Sequence, residues 1–340
     1  MGINVFSCFD GMSCGQIALN RAGVKYNNYY ASEIDKYAIQ VTQHNYPNTI
    51  QLGDVTKVSG CDLPKIGLLI GGSPCQGFSL AGKMLNFDDP RSKLFFEYVR
   101  ILGEVREKNP NVKFLLENVR MAKWCQDVIS RYLGVEPVKI NSNLVSAQNR
   151  ERYYWTNIDF DTNIKDKGIT LRDIAEKSVG EKYYLNDKQV KYITDGIRLR
   201  KKLTSVNPKR VQAILAGYNR LNGSFLAVNC RGDISNEKTS TLVSTYYKGV
   251  EAYGSRPFIY DGIRFRKLTP AECERLQTVP DGYTAIVSDS QAYKMLGNGW
   301  TIDVIAHVFQ DLSNKENTNR RVNLSLFDTP SLKESLTLQL

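Results

Sequence analysis

The chain has 340 residues, 42% of them apolar, enough for one large domain or one large plus one small. Its 45 basic residues against 35 acidic give a net charge of +10, which suits a phosphate-bearing partner or another anionic surface. No run approaches the ~20 apolar residues of a membrane span, and MGINVFSCFD lacks the basic and long apolar regions of a signal peptide. Seven cysteines without a Cys-x-x-Cys pair and only two histidines, His44 and His307, speak for reduced thiols in a cytoplasm and against a structural zinc.

Up to about residue 155, short apolar runs alternate with helical patterns, which predicts a parallel α/β sheet. The predicted strands are INVFSC, NYYAS, TIQL, IGLLIG, VKFLLE and VEPVKI. Right-handed crossovers place their C-terminal ends along one edge, where such sheets bind ligands. The first strand opens into FDGMSCG and a helix, a cradle for a nucleotide or cofactor, but the G-x-G-x-x-G spacing of a dinucleotide site is absent. Glu33 ends the second strand, where it can accept from ribose hydroxyls, and Asp54 follows the third, where it can accept from an adenine amine. Either acid alone could be a helix cap. Together they describe a nucleoside pocket without a pyrophosphate site, which suits S-adenosylmethionine better than NAD.

The fourth strand runs into Gly71-Gly-Ser-Pro-Cys-Gln-Gly-Phe-Ser79. A cysteine beside a sheet is most often a small buried apolar residue. Here Pro74 and the flanking glycines fix a tight loop, so Cys75 is a candidate nucleophile, provided dipoles or cations favour its thiolate. RSKLFFEYVRILGEV then puts Leu94, Phe95, Tyr98, Val99, Leu102 and Val105 on one helix face. The fifth strand ends at Glu117, a carboxyl at the mouth of an apolar sheet that can donate or accept a proton. In QNRERYYW, Arg150 and Arg152 fall on one side of an extended strand. They form either a solvated basic face or, near Cys75, cations that steady a thiolate and bind phosphate or a base carbonyl.

From Asp159 to Gly262 the texture changes: Lys, Arg, Asn, Ser and Gly become dense, and Gly196–Arg210 is strongly basic. This reads as a second, less regular domain or a large insertion, its basic run either binding phosphates or facing solvent. Thr269, Pro270 and Glu272 then predict a capping box opening a helix. Ser288 and Gln291 predict another, stopped at Gly297. A last helix is predicted over TIDVIAHVFQDL, and the tail after Ser313 is polar.

With FDGMSCG, Glu33, Asp54, Ser73-Pro-Cys-Gln, Glu117-Asn-Val, Gln148-x-Arg-x-Arg152, RKLTPAECERLQTVPDGY and AYKMLGNGW in this order, the chain resembles the cytosine-C5 DNA methyltransferases. The resemblance spans residues 3 to about 312, apart from the variable middle. Phe9-Asp-Gly11, LFFEYVRIL, SAQNRERYYW and Trp300 are similar to the animal de novo methyltransferases. Gln76 after Cys75 and the length of the middle segment match compact bacterial and phage enzymes.

The resemblance implies an α/β fold: a Rossmann-like class I S-adenosylmethionine-dependent methyltransferase sheet with a smaller, irregular target-recognition domain. Residues 1–158 would be the catalytic and cofactor domain, 159–262 the recognition domain, 263–312 helices returning to the catalytic domain, and 313–340 a tail. It implies S-adenosyl-L-methionine contacts from Phe9, Asp10, Gly11, Met12, Cys14, Glu33, Ile34, Asp54, Val55, Pro74 and Leu94. Asn298, Gly299 and Trp300 would close over the methionine part, at a place where most bacterial members carry Asn-Ser-Val. It implies catalysis by Cys75 adding to C6 of a flipped cytosine. Glu117 would engage N3 and the amine, and Arg152 with Arg150 would hold the base carbonyl and the Cys75 loop. It implies DNA contacts from Gln76, Ser79, Thr241 and Leu242, with the variable region in the major groove. The expected setting is a monomer on double-stranded DNA in the cytoplasm of a bacterial or phage-infected cell, with a cognate restriction endonuclease, no metal and no membrane.

A tRNA-methylating branch of the same family is the first alternative, and the large basic middle favours DNA over it. A catalytically silent nucleic-acid binder is the second, against which stand Cys75, Glu117, Arg150 and Arg152. An NAD-linked oxidoreductase fits the sheet but not the missing glycine motif.

Overall fold

The computed structural model describes residues 2–74, 90–190, 226–229, 234–235, 238–248, 257–260 and 264–313. Cys75, Gln76, Ser79, the basic run 196–210 and the tail beyond 313 lie outside the described residues.

Seven strands form the main sheet: β1 (Ile3–Cys8), β2 (Tyr26–Ser32), β3 (Ile50–Gln51), β4 (Leu68–Gly71), β5 (Lys113–Val119), β6 (Val138–Asn141) and β7 (Glu151–Thr156), in the order β3-β2-β1-β4-β5-β7-β6. The first five pair in parallel, whereas β7 inserts antiparallel between β5 and β6. The all-parallel sheet expected from the sequence is therefore mixed. The reversal follows from a short connection: β6 and β7 are separated by a single 3₁₀ turn and a loop, with no crossover helix to turn the chain around.

Alternation along the strands loads both faces. Val5, Leu68, Ile70 and Leu115 join one core with α1 (Cys14–Arg21) and the C-terminal helices. Phe6, Leu69, Phe114 and Leu116 join the other with α3 (Pro90–Lys108) and α4 (Lys123–Leu133). The helical stripe read for α3 is realised, with Phe95, Tyr98, Leu102 and Val105 buried and Leu94 and Val99 packed at its edge. Between β2 and β3, α2 (Lys36–Asn45) is capped by Asp35, whose carboxylate accepts from Tyr37 N.

Past β7 the chain does not leave the main body. Ile158, Ile164, Leu171 and Ile174 are buried in the first core, the last two on the single-turn α5 (Leu171–Ile174). Further on, Thr239 pairs with Gln148, and Lys238 donates to the carbonyls of Asn143, Ser146 and Ile169. The segment expected to form a recognition domain, 159–262, is thus packed on the main body where it begins and again at Lys238 and Thr239. Strands β8 (Leu226–Asn229), β9 (Ile234–Ser235), β10 (Pro257–Tyr260) and β11 (Phe265–Arg266) form an antiparallel sheet that continues past 262.

Helix α6 (Pro270–Leu276) carries the predicted capping box: Thr269 Oγ1 accepts from Glu272 N, and Glu272 Oε2 accepts from Thr269 N. The second box does not form. Helix α7 (Asp289–Asn298) starts after Ser288 without a side-chain cap, and its stop is Gly299 rather than Gly297. Gly297 has another reason to be glycine. A Cβ there would lie 2.3 Å from Ser244 N and from the Val243 carbonyl carbon, so the helix and the 243–244 backbone touch directly. The last helix, α8 (Ile302–Ser313), packs its buried Ile305, Val308 and Phe309 in the first core.

Candidate active site

The cleft opens along the C-terminal edge of the parallel strands. Between β1 and α1 the chain turns sharply, with Phe9 and Ser13 both left-handed (φ 59° and 60°). Such a conformation in residues with side chains persists only where neighbours enforce it. Asp10 supplies the enforcement. Its N–H donates to Ser32 O at 3.0 Å, its carboxylate accepts from Tyr29 OH at 2.7 Å and from Ser13 Oγ, and its carbonyl accepts from Ser13 N. Burial pushes the Asp10 carboxyl up to about 6, against the opposing pull of those hydroxyls. Burial likewise pushes the Cys14 thiol up to about 12, which leaves it inert although it lines the cleft.

Glu33 is clamped by main chain: Oε2 accepts from Gly11 N, and Oε1 from Ile34 N and Asp35 N, each at 2.8 Å. Ile34 beside it is 77% exposed, a large apolar side chain left at the rim. Asp54 Oδ1 accepts from Thr56 N and Oγ1, and these bonds hold its carboxyl below the usual carboxylate value. Asp54 is thus also the helix cap that the sequence left as the alternative, whereas the helix after Glu33 is capped by Asp35.

At the inner end, Glu117 of β5 is buried, with Oε1 3.0 Å from Arg152 Nε of β7 and Oε2 accepting from Trp300 Nε1 at 3.2 Å. The Arg152 N–H is poorly aligned on its oxygen, as is common before a substrate arrives. The next residue, Asn118, donates to Ser73 Oγ at 3.0 Å, tying β5 to the segment that leads into Cys75. One cleft of about 640 Å³ joins the two ends. All the residues predicted for the cofactor line it: Phe9, Asp10, Gly11, Met12, Cys14, Glu33, Ile34, Asp54, Val55, Pro74, Leu94, Asn298, Gly299 and Trp300. So do Glu117, Arg150 and Arg152.

The family profile of C-5 cytosine-specific DNA methylases matches residues 3–127 and 138–314. The chain belongs to the C-5 cytosine-specific DNA methylases. The type II methyltransferase M1.ScrFI of Lactococcus lactis subsp. cremoris is 33% identical to this methylase over 308 residues, covering 83% of this chain and 70% of that one. The type II methyltransferase M.NlaX of Neisseria lactamica is 32% identical over 326 residues, covering 91% and 95%. The fold is shared with the Entamoeba histolytica methyltransferase EhMeth, at a TM-score of 0.64 and 18% identity over 92% of this chain and 99% of that one. It is shared as well with the S. pombe Dnmt2 methyltransferase, at 0.63 and 16% over 91% and 99%.

Three other predicted site residues of the methylase also make structural contacts. Arg150 is 3% exposed, and its guanidinium donates to main-chain carbonyls of Leu242 (2.9 Å), Gly297 (3.2 Å) and Gly299 (2.9 Å). Burial, with Arg152 nearby, lowers its proton affinity to about 9, so it stays cationic at neutral pH. It clamps three segments together while lining the same cleft as Arg152. Leu242, expected at the DNA, is fully buried in the core, and Thr241 Oγ1 donates to Asn149 O. The pair stitches the returning chain to the catalytic body because Leu242 is too apolar to stay in water once a core is within reach.

Sequence reasoning quoted Gln148 and Gln277 within two motifs but gave neither a role. Buried Gln148 donates to Leu276 O and Gln277 Oε1 and accepts from Leu242 N, and Gln277 donates to Leu296 O. Ser32 was also missed. It is 1% exposed and lines the cleft, and its Oγ has no hydrogen-bond partner.

Proposed function

We propose that the methylase transfers a methyl group from S-adenosylmethionine to C5 of a cytosine flipped out of double-stranded DNA. The observation that carries this reading is the single cleft, with Glu117 between Arg152 and Trp300 at one end and Glu33 and Asp54 at the other.

The residues present fit the methyl donor. The unpartnered Ser32 hydroxyl, the carboxylates of Glu33 and Asp54 and the apolar Phe9, Ile34, Val55 and Leu94 are the donor set and walls that a nucleoside needs. Bound there, S-adenosylmethionine would supply an electrophilic methyl group on a sulfonium. The protein does the rest. A cytosine within the duplex exposes neither face of its ring, so the base must leave the stack. The Cys75 thiolate adds to C6, and the electron pair moves toward C5. Glu117 holds N3 and the exocyclic amine as charge builds on the ring, while Arg152 keeps Glu117 in place and faces the base carbonyl. Once C5 carries the methyl group, its proton leaves, the S–C6 bond breaks, and the thiolate is regenerated.

In this reading residues 159–262 supply target recognition, with Gln76 and Ser79 at the DNA beside the nucleophile. The protein acts as a monomer in the cytoplasm of a bacterial or phage-infected cell, paired with a cognate restriction endonuclease. The test is to incubate purified protein with S-adenosylmethionine and unmethylated plasmid and to read 5-methylcytosine at base resolution. Methylation at one short motif is expected. Unmodified plasmid alongside methylated tRNA would reassign the substrate.

A further inference from the structure

Trp300 lines the cleft, and its indole reaches past the cofactor end to Glu117. We propose that Trp300 is a positioning residue for Glu117, so that its effect on the reaction is separable from any contact with the methyl donor. The proposal rests on the role given to Glu117 above.

Three observations support it. First, Trp300 is 8% exposed, and its Nε1 donates to Glu117 Oε2 at 3.2 Å while Arg152 Nε sits 3.0 Å from Oε1. The Trp300 N–H holds one oxygen of the carboxylate, and the Arg152 guanidinium lies against the other as an ion pair. A carboxylate accepts at about four lone-pair sites, so sites on both oxygens stay open to the base.

Second, the backbone at Gly72 runs close against this contact. A Cβ on Gly72 would lie 2.9 Å from the indole nitrogen and 3.2 Å from Glu117 Oε2. Third, the indole is itself held. The Gly299 carbonyl before it accepts from Arg150 Nη2, and the Gly299 N–H donates to Met295 O at 2.8 Å. The orientation of Glu117 is therefore tied through Trp300 to the end of α7 and to the buried Arg150.

Hydrogen exchange at C5 separates the two roles. Without a methyl donor, Cys75 adds to C6, C5 takes a proton from water, the original C5 hydrogen leaves, and the S–C6 bond breaks. Nothing is consumed, and the rate reads Cys75 and Glu117 alone. DNA tritiated at cytosine C5 is given to wild type, to Trp300→Phe, to Gly72→Ala and to protein carrying benzothienylalanine at 300, which keeps the indole shape but has sulfur in place of N–H. The expected result is tritium release slowed roughly ten- to hundredfold in all three, the effect of losing one hydrogen bond to a charged group. S-adenosylmethionine and DNA affinities should be little changed for the benzothienyl protein. Release at the wild-type rate from the benzothienyl protein would overturn the proposal and leave Trp300 as packing or as a cofactor contact. A wild-type protein that neither exchanges nor methylates would overturn the reading of Glu117, and this inference with it.

Discussion

Glu117 is a single carboxylate on which the inner end of the cleft converges, and its chemistry can be tested apart from its packing. Glu117→Gln keeps the shape and can still accept from one donor, but it can no longer take up a proton. Turnover should fall roughly 10²–10⁴-fold, with S-adenosylmethionine affinity little changed; a near-wild-type rate would remove the proposed role. Asp10 tests the other end. Its carboxyl binds a proton more tightly in the fold, at about 6, than in the unfolded chain, at 3.8. Its contribution to stability is therefore full below about pH 4 and is lost as the pH rises through about 6. Wild type should gain on Asp10→Asn by an amount approaching 3 kcal/mol as the pH falls from 7 to below 4. A difference in unfolding free energy that stays flat over that range would contradict the assignment. At this scale the sequence was most legible where an acid followed an apolar run, because strand ends set the position of Glu33, Asp54 and Glu117. It was least legible for Arg150 and Leu242. Alternation puts Arg150 and Arg152 on one side, but which cation meets carbonyls and which meets a carboxylate depends on segments some 90 and 150 residues away.

The elements followed their local chemistry where that chemistry was complete. Helix α6 begins where Thr269, Pro270 and Glu272 dictate, and Glu272 also meets the buried Arg266 at 2.6 Å, which locks the cap. Helix α7 has a similar pattern in Ser288 and Gln291, but there the start is set by packing and the side-chain cap is absent. Its Gly297 reads as a stop in sequence and is a contact surface in space. Gly297→Ala must push α7 off the 243–244 backbone, or that backbone off α7. A loss of about 1–3 kcal/mol is expected, with lowered activity, since Gly297 and Gly299 share the Arg150 clamp. An unchanged thermal midpoint would show that the close approach is not maintained. The antiparallel β7 escaped the strand pattern for a related reason: apolar alternation marks a strand but not its direction, which the short β6–β7 connection decides.

For the molecule as a whole, family membership and sheet architecture come from motifs spread over most of the chain, whereas the proposed recognition role of the variable middle is tested by exchange. Replacing residues 160–262 with the corresponding segment of another member should change the methylated motif and leave the chemistry intact. Retention of the original motif would place recognition elsewhere. The graft must respect the anchors, since Lys238, Thr239 and Leu242 fasten that segment to the catalytic body. Affinity for DNA should also fall steeply with salt, as a net charge of +10 implies.

The proposed reaction turns on covalent catalysis by Cys75 at C6 of the cytosine. It is tested most directly with a duplex synthesised with 5-fluorodeoxycytidine at every cytosine, incubated with the protein and S-adenosylmethionine. Fluorine at C5 cannot leave as a proton does, so the S–C6 bond formed by the nucleophile persists. The account predicts a denaturation-resistant protein–DNA adduct, mapped by mass spectrometry to the peptide containing Cys75 and lost in Cys75→Ala. An adduct on another residue, or no adduct from protein that methylates ordinary duplex, would contradict it.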